Sequence, residues 1–590
     1  MYLDKINSPD DLKSLSVEEL DCLAEEIRTS LLDRTHEVGG HIGSNLGIVE
    51  ATIALHYVFN SPIDKIVFDV SHQCYTHKIL TGRREAFTVP ERYKDVSGFT
   101  NPKESKHDIF KVGHTSTGVS LALGLAKARD LRGDKENIIA VVGDGAICGG
   151  EAFEGLNNAS MLNSNFIILF NDNEMSIANN YGGMYRHFRK LRETQGKCSN
   201  NFFKLMGFDY LYLEEGNNIG KLIELFESVK GHERPIVVHI HTQKGKGWPY
   251  AENNKEAGHN IKVGGYNPYC EVGQRQECYE NLTREYLLDK LAKDSSIMVV
   301  NCATPASQGL TFEFRDKAGK QFLDVGIAEE HAVAYCSGIA KNGGKPVLVI
   351  QGTFMQRTYD QLMQDLGLNE TAVTVLVFAG GLYPSETTHS GAFDISMVCN
   401  IPGLTCLAPT NVEEYFSMLD WAIEQEEGPV VIRVPMVVRH ANSKESFSSE
   451  KAKKYELLRK GKDVAILGLG NFALLAEKVE KRLASEGIKA TMVNPRFYAG
   501  IDKDFLESLK DEHRLVVTLE DGMLSGGFGE KIARFYGNSD MKVLNFGGDK
   551  EIYDRVPQDE LYARCRLNVE NIVSDIKAIL LPVLKLVSNA

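Results

Sequence analysis

The sequence predicts an α/β protein assembled from three blocks of parallel sheet. Three observations carry that expectation. Short continuous apolar runs recur along the chain, longer stretches of helical periodicity separate them, and two polar stretches interrupt the pattern. Residues 138–142, 166–170 and 236–240 read as buried strands, then 347–350, 373–378 and 431–434, then 464–467, 515–518 and 543–546. Buried runs spaced by helices pair in parallel, because each crossover returns the chain to the same edge. The polar stretches lie at about 253–277, rich in Gly, Asn and charge, and at about 442–454, rich in Ser, Lys and Glu. They divide the chain into 1–275, 276–445 and 455–590.

The first helix is fixed by its start. Ser16 followed by Glu19 is a capping-box pair, and Leu20, Leu23, Ile27 and Leu31 then recur on one helical face. In the third block, Gly468-x-Gly470 and Gly526-Gly527-x-Gly529 are too short a pattern to specify a nucleotide site, and no chemistry is assigned to them.

Composition excludes several function classes. The chain has 590 residues, 43 % hydrophobic and 25 % charged, enough for several cores. Its net charge of −14, from 80 acidic and 66 basic side chains, is the wrong sign for a nucleic-acid-binding face. A local Arg can still bind a small anion. Residues 1–11 are polar and hold no signal-peptide core, and no run reaches the roughly eighteen apolar residues of a membrane span. The eleven cysteines are scattered without a CxxC pair, so neither a disulfide framework nor a zinc site is expected. Cys148 and Cys336 read as small buried thiols. A reducing cytoplasm suits this usage.

The most informative segment is Gly143-Asp144-Gly145-Ala146 after one strand, with Asn171-Asp172-Asn173 after the next. Strand ends on one edge of a parallel sheet are where ligands bind. Asp144 offers a carboxylate oxygen and Asn173 an amide oxygen, the hard donors that Mg²⁺ takes. Glycines beside Asp144 let the backbone approach a diphosphate closely. Gly-Asp-Gly alone reads equally well as a β-turn; the second motif after the second strand decides between the two.

These motifs resemble the thiamine-diphosphate signature of the transketolase superfamily, and within it the 1-deoxy-D-xylulose-5-phosphate synthases. The resemblance runs nearly the whole chain in order. It is carried by Asp69-Val70-Ser71-His72-Gln73, Lys78-Ile79-Leu80-Thr81-Gly82-Arg83-Arg84, Gly113-His114-Thr115-Ser116-Thr117 and Asn173-Glu174-Met175-Ser176-Ile177. Further on come Ala328-Glu329-Glu330-His331, Gln356-Arg357-Thr358-Tyr359-Asp360-Gln361 and His389-Ser390-Gly391-Ala392-Phe393-Asp394. Residues 179–203 are shorter than the variable segment these synthases usually carry.

The resemblance implies a function and a site. Residues 1–275 would bind the diphosphate and Mg²⁺, 276–445 the pyrimidine ring, and 455–590 would support a homodimer. Mg²⁺ would be held by Asp144, Asn173 and the Met175 carbonyl. His72, Gly113, His114, Thr115, Gly145, Ala146, Asn173 and Trp248 would line thiamine diphosphate. Glu329 would meet the pyrimidine ring and favour the imino tautomer that removes the cofactor's C2 proton. His41, His72, His259 and His389 would move protons at substrate oxygens, a task suited to imidazole near neutral pH. Tyr359, His389 and Arg433 would bind substrate, with Arg433 on the acceptor's phosphate. The implied reaction joins pyruvate to glyceraldehyde 3-phosphate with loss of CO₂, giving 1-deoxy-D-xylulose 5-phosphate. Transketolase-like ketol transfer, a different acceptor aldehyde and a catalytically silent cofactor-binding protein are the alternatives. Ketol transfer and a different acceptor draw on two departures: Phe378 and Ser385 stand where these synthases usually have Arg and Asp; Glu330 also stands where they usually have Gln. His331, among Ala332, Val333 and Ala334, reads equally as a packed helix residue and as a site residue.

Overall fold

The structure is a computed structural model and describes residues 1–264, 277–442 and 446–588. The expected boundaries at 275/276 and 445 fall outside the described residues. The chain forms two compact units, Met1–Gly273 with Val325–Ala328, and Gln274–Asp324 with Glu329–Ala590.

The first unit is built on a five-stranded parallel sheet. Its order is Lys65–Phe68, Ile138–Gly143, Phe166–Asp172, Pro235–His241 and Asp209–Leu213. Alternate residues of each strand serve opposite faces, as the pleat requires. Ala140, Val142, Ile168 and Phe170 pack under Gly118–Arg132 and Gly150–Ala159, through Val119, Ala122, Leu156 and Ala159. Ile139, Val141, Ile167 and Leu169 pack under Val49–Val58 and Ile219–Val229, through Ala54, Leu55, Leu222 and Phe226. The first helix spans Val17–Val38, and the Ser16–Glu19 capping box is formed in both directions. Leu20, Leu23, Ile27 and Leu31 are fully buried in a third cluster that holds the ends of the chain segments around His41 and His72.

The second unit carries two sheets. One has six parallel strands, ordered Thr405–Leu407, Val430–Arg433, Thr374–Phe378, Lys345–Gln351, Ile297–Asn301 and Phe322–Asp324. The other is ordered Glu456–Arg459, Thr491–Asn494, Asp463–Gly468, His513–Met523 and Lys542–Gly548, parallel except for its first strand. Every apolar run expected to form a strand does so. The helix start after Gly526-Gly527 is already satisfied from within: the buried Glu520 carboxylate accepts the Phe528 N–H at 2.8 Å and the Gly529 N–H at 2.7 Å.

One expectation changes. Residues 254–264 belong compositionally to a linker, yet they fold back on the first unit. Asn260–Ile261 pairs antiparallel with Gly40–His41. Among the described residues every cysteine is free, and no helix is long and apolar enough to cross a membrane. Cys336 is fully buried, as expected, while Cys148 is only partly so.

Candidate active site

Three histidines distant in sequence meet in the first unit. The pairing of Gly40–His41 with Asn260–Ile261 sets His41 opposite Asn260, and Ile42 N–H donates to the His259 carbonyl at 3.2 Å. Gly43 permits this approach, since a Cβ there would lie 2.7 Å from the Gly258 carbonyl oxygen. His72 arrives on the loop after Lys65–Phe68. The ring centroids are 5.1 Å apart for His41–His72, 5.4 Å for His41–His259 and 5.2 Å for His72–His259. The Ser44 hydroxyl lies 3.0 Å from His72 Nε2 and 3.5 Å from His259 Nδ1.

Asn45, which the sequence motifs do not single out, organises this cluster. Its buried amide nitrogen donates to the His41 carbonyl at 2.6 Å and the His72 carbonyl at 2.7 Å, and its oxygen accepts the Tyr75 N–H at 2.8 Å. Burial, and then the other cations nearby, hold His41 and His259 well below the ordinary imidazole range. Both rings are therefore neutral near pH 7 and can accept or donate a proton.

The loop of His72 is strained. Val70 and Ser71 have φ of 60° and 62°, a region that a β-branched residue rarely enters. The buried Asp69 carboxylate fastens this loop to the next one, accepting the Ser116 and Gly118 N–H groups at 2.8 Å each. Ser116 in turn donates its hydroxyl to the Ala146 carbonyl at 2.9 Å. Gly113-His114-Thr115 is thus tied to the Gly145-Ala146 turn.

Asp144 and Asn173 come together because Gly143 pairs with Asn171, and Asp144 N–H donates to the Asn171 carbonyl at 3.2 Å. The Asp144 carboxylate accepts the Gly145 N–H at 2.9 Å and the Asn180 side-chain amide at 3.0 Å. Asn180 also accepts the Ser176 N–H at 2.7 Å, which links the two motifs. Burial, then the neighbouring Asp172, pushes the Asp144 carboxyl up to about 6. The Asn173 amide oxygen is buried without a hydrogen-bond partner. Nearby, buried Lys244 donates to the Ser176 carbonyl, and burial lowers its ammonium to about 7 against the pull of Asp144. Lys244 is the second site residue that the motifs do not reveal.

This donor set fits a hard cation. It offers one carboxylate, one orphaned amide oxygen and backbone carbonyls. Among the described residues no group of three or more His, Cys, Asp or Glu side chains is placed to hold a metal ion, so amide and backbone oxygens would have to complete this donor set. Trp248 is partly buried against the core cluster that holds Leu20, Leu23, Ile27 and Leu31, and its ring lies 5.0 Å from the Tyr250 ring.

In the second unit, Glu329 is the first residue of the helix Glu329–Lys341 and is buried. Its Oε2 has no hydrogen-bond partner, and Arg357 Nη1 stands 3.7 Å away. Burial pushes the carboxyl up to about 7, with Arg357 opposing. His389 Nδ1 is 2.9 Å from the Thr388 hydroxyl, and its ring meets Phe354 edge-on at 5.8 Å. Tyr359 is exposed and donates to Asn400 Oδ1 at 3.1 Å. His331 is exposed against the Tyr335 ring, so the packed-helix reading does not hold for it.

Arg433 departs most from expectation. It is buried at 4 % exposure, donating from Nε to Asp394 at 2.7 Å and from Nη1 to Asp521 at 2.7 Å. A third, longer bond runs from Nη2 to Asp394 at 3.4 Å. The two carboxylates take three of the five guanidinium N–H groups. Arg433 is thus the centre of a buried ion-pair cluster with Asp394 and Asp521.

Comparison with known proteins agrees with the geometry. Residues 3–198 match the family model for 1-deoxy-D-xylulose-5-phosphate synthase, 279–436 the transketolase pyrimidine-binding domain, and 453–572 the transketolase C-terminal domain. A 1-deoxy-D-xylulose-5-phosphate synthase of Alkaliphilus oremlandii is 37 % identical, over 98 % of this chain and 99 % of the relative. The chain belongs to the 1-deoxy-D-xylulose-5-phosphate synthase family. Another such synthase, from Geobacter sulfurreducens, is 36 % identical over 98 % of this chain and 97 % of the relative. Membership in this transketolase-type family of transferases implies thiamine diphosphate as cofactor.

Proposed function

We propose that this synthase condenses pyruvate with glyceraldehyde 3-phosphate, releasing CO₂ and forming 1-deoxy-D-xylulose 5-phosphate, with thiamine diphosphate and Mg²⁺ bound. The observation that carries the reading is the orphaned Asn173 amide oxygen beside the Asp144 carboxylate at adjacent strand ends. A buried acceptor without a donor costs free energy unless a cation or ligand engages it. Asp144, Asn173 and the Met175 carbonyl would hold Mg²⁺, leaving its other positions to diphosphate oxygens and water. Gly113, His114, Thr115, Gly145 and Ala146 would approach the diphosphate, with His72 and Trp248 further along the cofactor.

When bound, thiamine diphosphate supplies an acidic C2–H and an electron sink for making and breaking the bond next to a carbonyl. The chain supplies orientation and proton handling. Glu329, with its carboxyl pushed up to about 7, keeps a proton that it can share with a ring nitrogen. Neutral His41 and His259 can each give or take a proton at a substrate oxygen, and His72, His389 and Tyr359 would also contact substrate. Ketol transfer and a silent binder have no support in the family assignment.

We further propose the division into diphosphate (1–275), pyrimidine (276–445) and C-terminal (455–590) domains, since each range has its own sheet. A cytoplasmic homodimer is part of the same reading. The reaction is tested by CO₂ release from pyruvate in the purified holoenzyme. Release should depend on glyceraldehyde 3-phosphate, and aldehyde-independent release alone would overturn the proposal.

A further inference from the structure

Two of the proposed metal ligands, Asn173 and the Met175 carbonyl, flank a single residue, so the backbone angles of Glu174 set how the two are placed relative to each other. Glu174 has a φ of 65°, in the left-handed region that glycine enters freely and other residues enter at a cost. A residue stays in such a region only where its surroundings over-determine it. Here its own side chain supplies the grip. Oε2 accepts from Arg192 Nη2 at 3.0 Å, and Oε1 lies 3.0 Å from His241 Nε2. Both partners are themselves anchored. Arg192 stands on the helix Gly183–Glu193, within the short segment 179–203, and also donates to the buried Asp172 carboxylate. His241 ends the strand that pairs with Asp172, and its Nδ1 lies 3.0 Å from Glu214 Oε1. The Glu174 N–H adds a bond to Asp172 Oδ1 at 3.1 Å. An exposed carboxylate is thus held from a helix and from a neighbouring strand, beside an Asn173 amide oxygen that is buried without a partner.

We propose that Glu174 is a positioning residue for the metal site: its carboxylate, gripped by Arg192 and His241, keeps residue 174 left-handed before the cation arrives. The two flanking ligands are then set in place in advance, and binding does not have to supply the cost of the turn. Asn180 fixes the turn after these ligands through the Ser176 N–H, and Glu174 fixes the turn between them. The competing account is purely electrostatic, a negative charge near a cation, and it is indifferent to the backbone preference of whatever replaces Glu174. The proposal rests on the Mg²⁺ part of the reading above.

The experiment compares wild type, Glu174→Ala and Glu174→Gly by calorimetric titration of the full chain with thiamine diphosphate at a graded series of Mg²⁺ concentrations. The two variants lose the same charge and the same side-chain contacts. They differ in how readily residue 174 turns left-handed. At low Mg²⁺, Glu174→Ala should bind the cofactor roughly five- to thirtyfold more weakly than wild type, the left-handed cost of an L-residue. Glu174→Gly should recover most of that loss. Raising Mg²⁺ should bring the alanine variant back towards wild type, because its deficit lies at the metal. The unfolding midpoints of the two apo-variants should coincide, since without the grip neither is held in the strained turn. A glycine variant that binds no more tightly than the alanine variant overturns the proposal in favour of charge or contact alone. Wild-type affinity in Glu174→Ala also overturns it, and a lower apo midpoint for alanine than for glycine would then show that the rest of the fold holds the turn. Wild type without Mg²⁺-dependent cofactor binding would remove the metal reading itself, and this inference with it; Mg²⁺-dependent binding by wild type leaves that reading standing whichever way the variants fall.

Discussion

The Asn180 side-chain amide donates to the Asp144 carboxylate at 3.0 Å, while its oxygen accepts the Ser176 N–H at 2.7 Å. One residue thus aims the charged member of the metal pair and fixes the turn after Asn173. Asp144→Ala removes the only carboxylate of the proposed donor set and should abolish Mg²⁺-dependent cofactor binding. Asn180→Ala should weaken it about tenfold or more, as outer contacts of metal ligands commonly do. Calorimetric titration of thiamine diphosphate at fixed Mg²⁺ reads both. Unchanged affinity in Asp144→Ala would remove the metal assignment.

Glu329→Gln should bind cofactor nearly as well as wild type and lose most activity. The amide matches the carboxyl in size but cannot exchange a proton with the ring nitrogen. Proton exchange at C2 of the bound cofactor, followed by NMR, should slow by orders of magnitude. Exchange as fast as in wild type would deny Glu329 that role.

Arg433→Met should act on stability. It strips the cation from two buried carboxylates, Asp394 and Asp521, at a cost of about 3–5 kcal/mol. Denaturant unfolding of the purified variant should show this loss. A variant as stable as wild type, with a raised KM for glyceraldehyde 3-phosphate alone, would restore the phosphate role.

The buried histidines set a pH dependence. The pKa values of His41 and His259 lie well below their unfolded value of about 6.5, so the unfolded chain binds more protons in between. Their contribution to stability is therefore fully present above the unfolded value and is lost as pH falls below it. The apo-protein's unfolding midpoint should drop between about pH 7 and pH 5. His41→Asn/His259→Asn should flatten that drop. An identical pH profile in the variant would show that these rings do not titrate on unfolding.

What the sequence made legible follows from locality. The strands 138–143 and 166–172 are continuous apolar runs because parallel strands are buried on both faces. Asp144 and Asn173 stand in short contiguous motifs directly after them. The capping box at Ser16 is equally local. Partnerships across long separations were not legible. Arg433 matches a phosphate-binding position by motif, but its partners lie 39 and 88 residues away, and nothing near 433 announces them. Asn45 looks like an ordinary helix residue until the carbonyls of His41 and His72 are seen to converge on it. Residues 254–264 have the composition of a linker, yet backbone pairing to Gly40–His41 overrides composition. Lys244 carries no motif signal, because what marks it is burial beside Asp144.

The central claim is the reaction, and product identification tests it most directly. Purified holoenzyme is given isotopically labelled pyruvate and unlabelled glyceraldehyde 3-phosphate, and the products are read by mass spectrometry. The account predicts labelled CO₂ together with a pentulose monophosphate that carries two labelled carbons, both dependent on the aldehyde. A pentulose phosphate without pyruvate carbons, or labelled CO₂ with no ligated product, would contradict it.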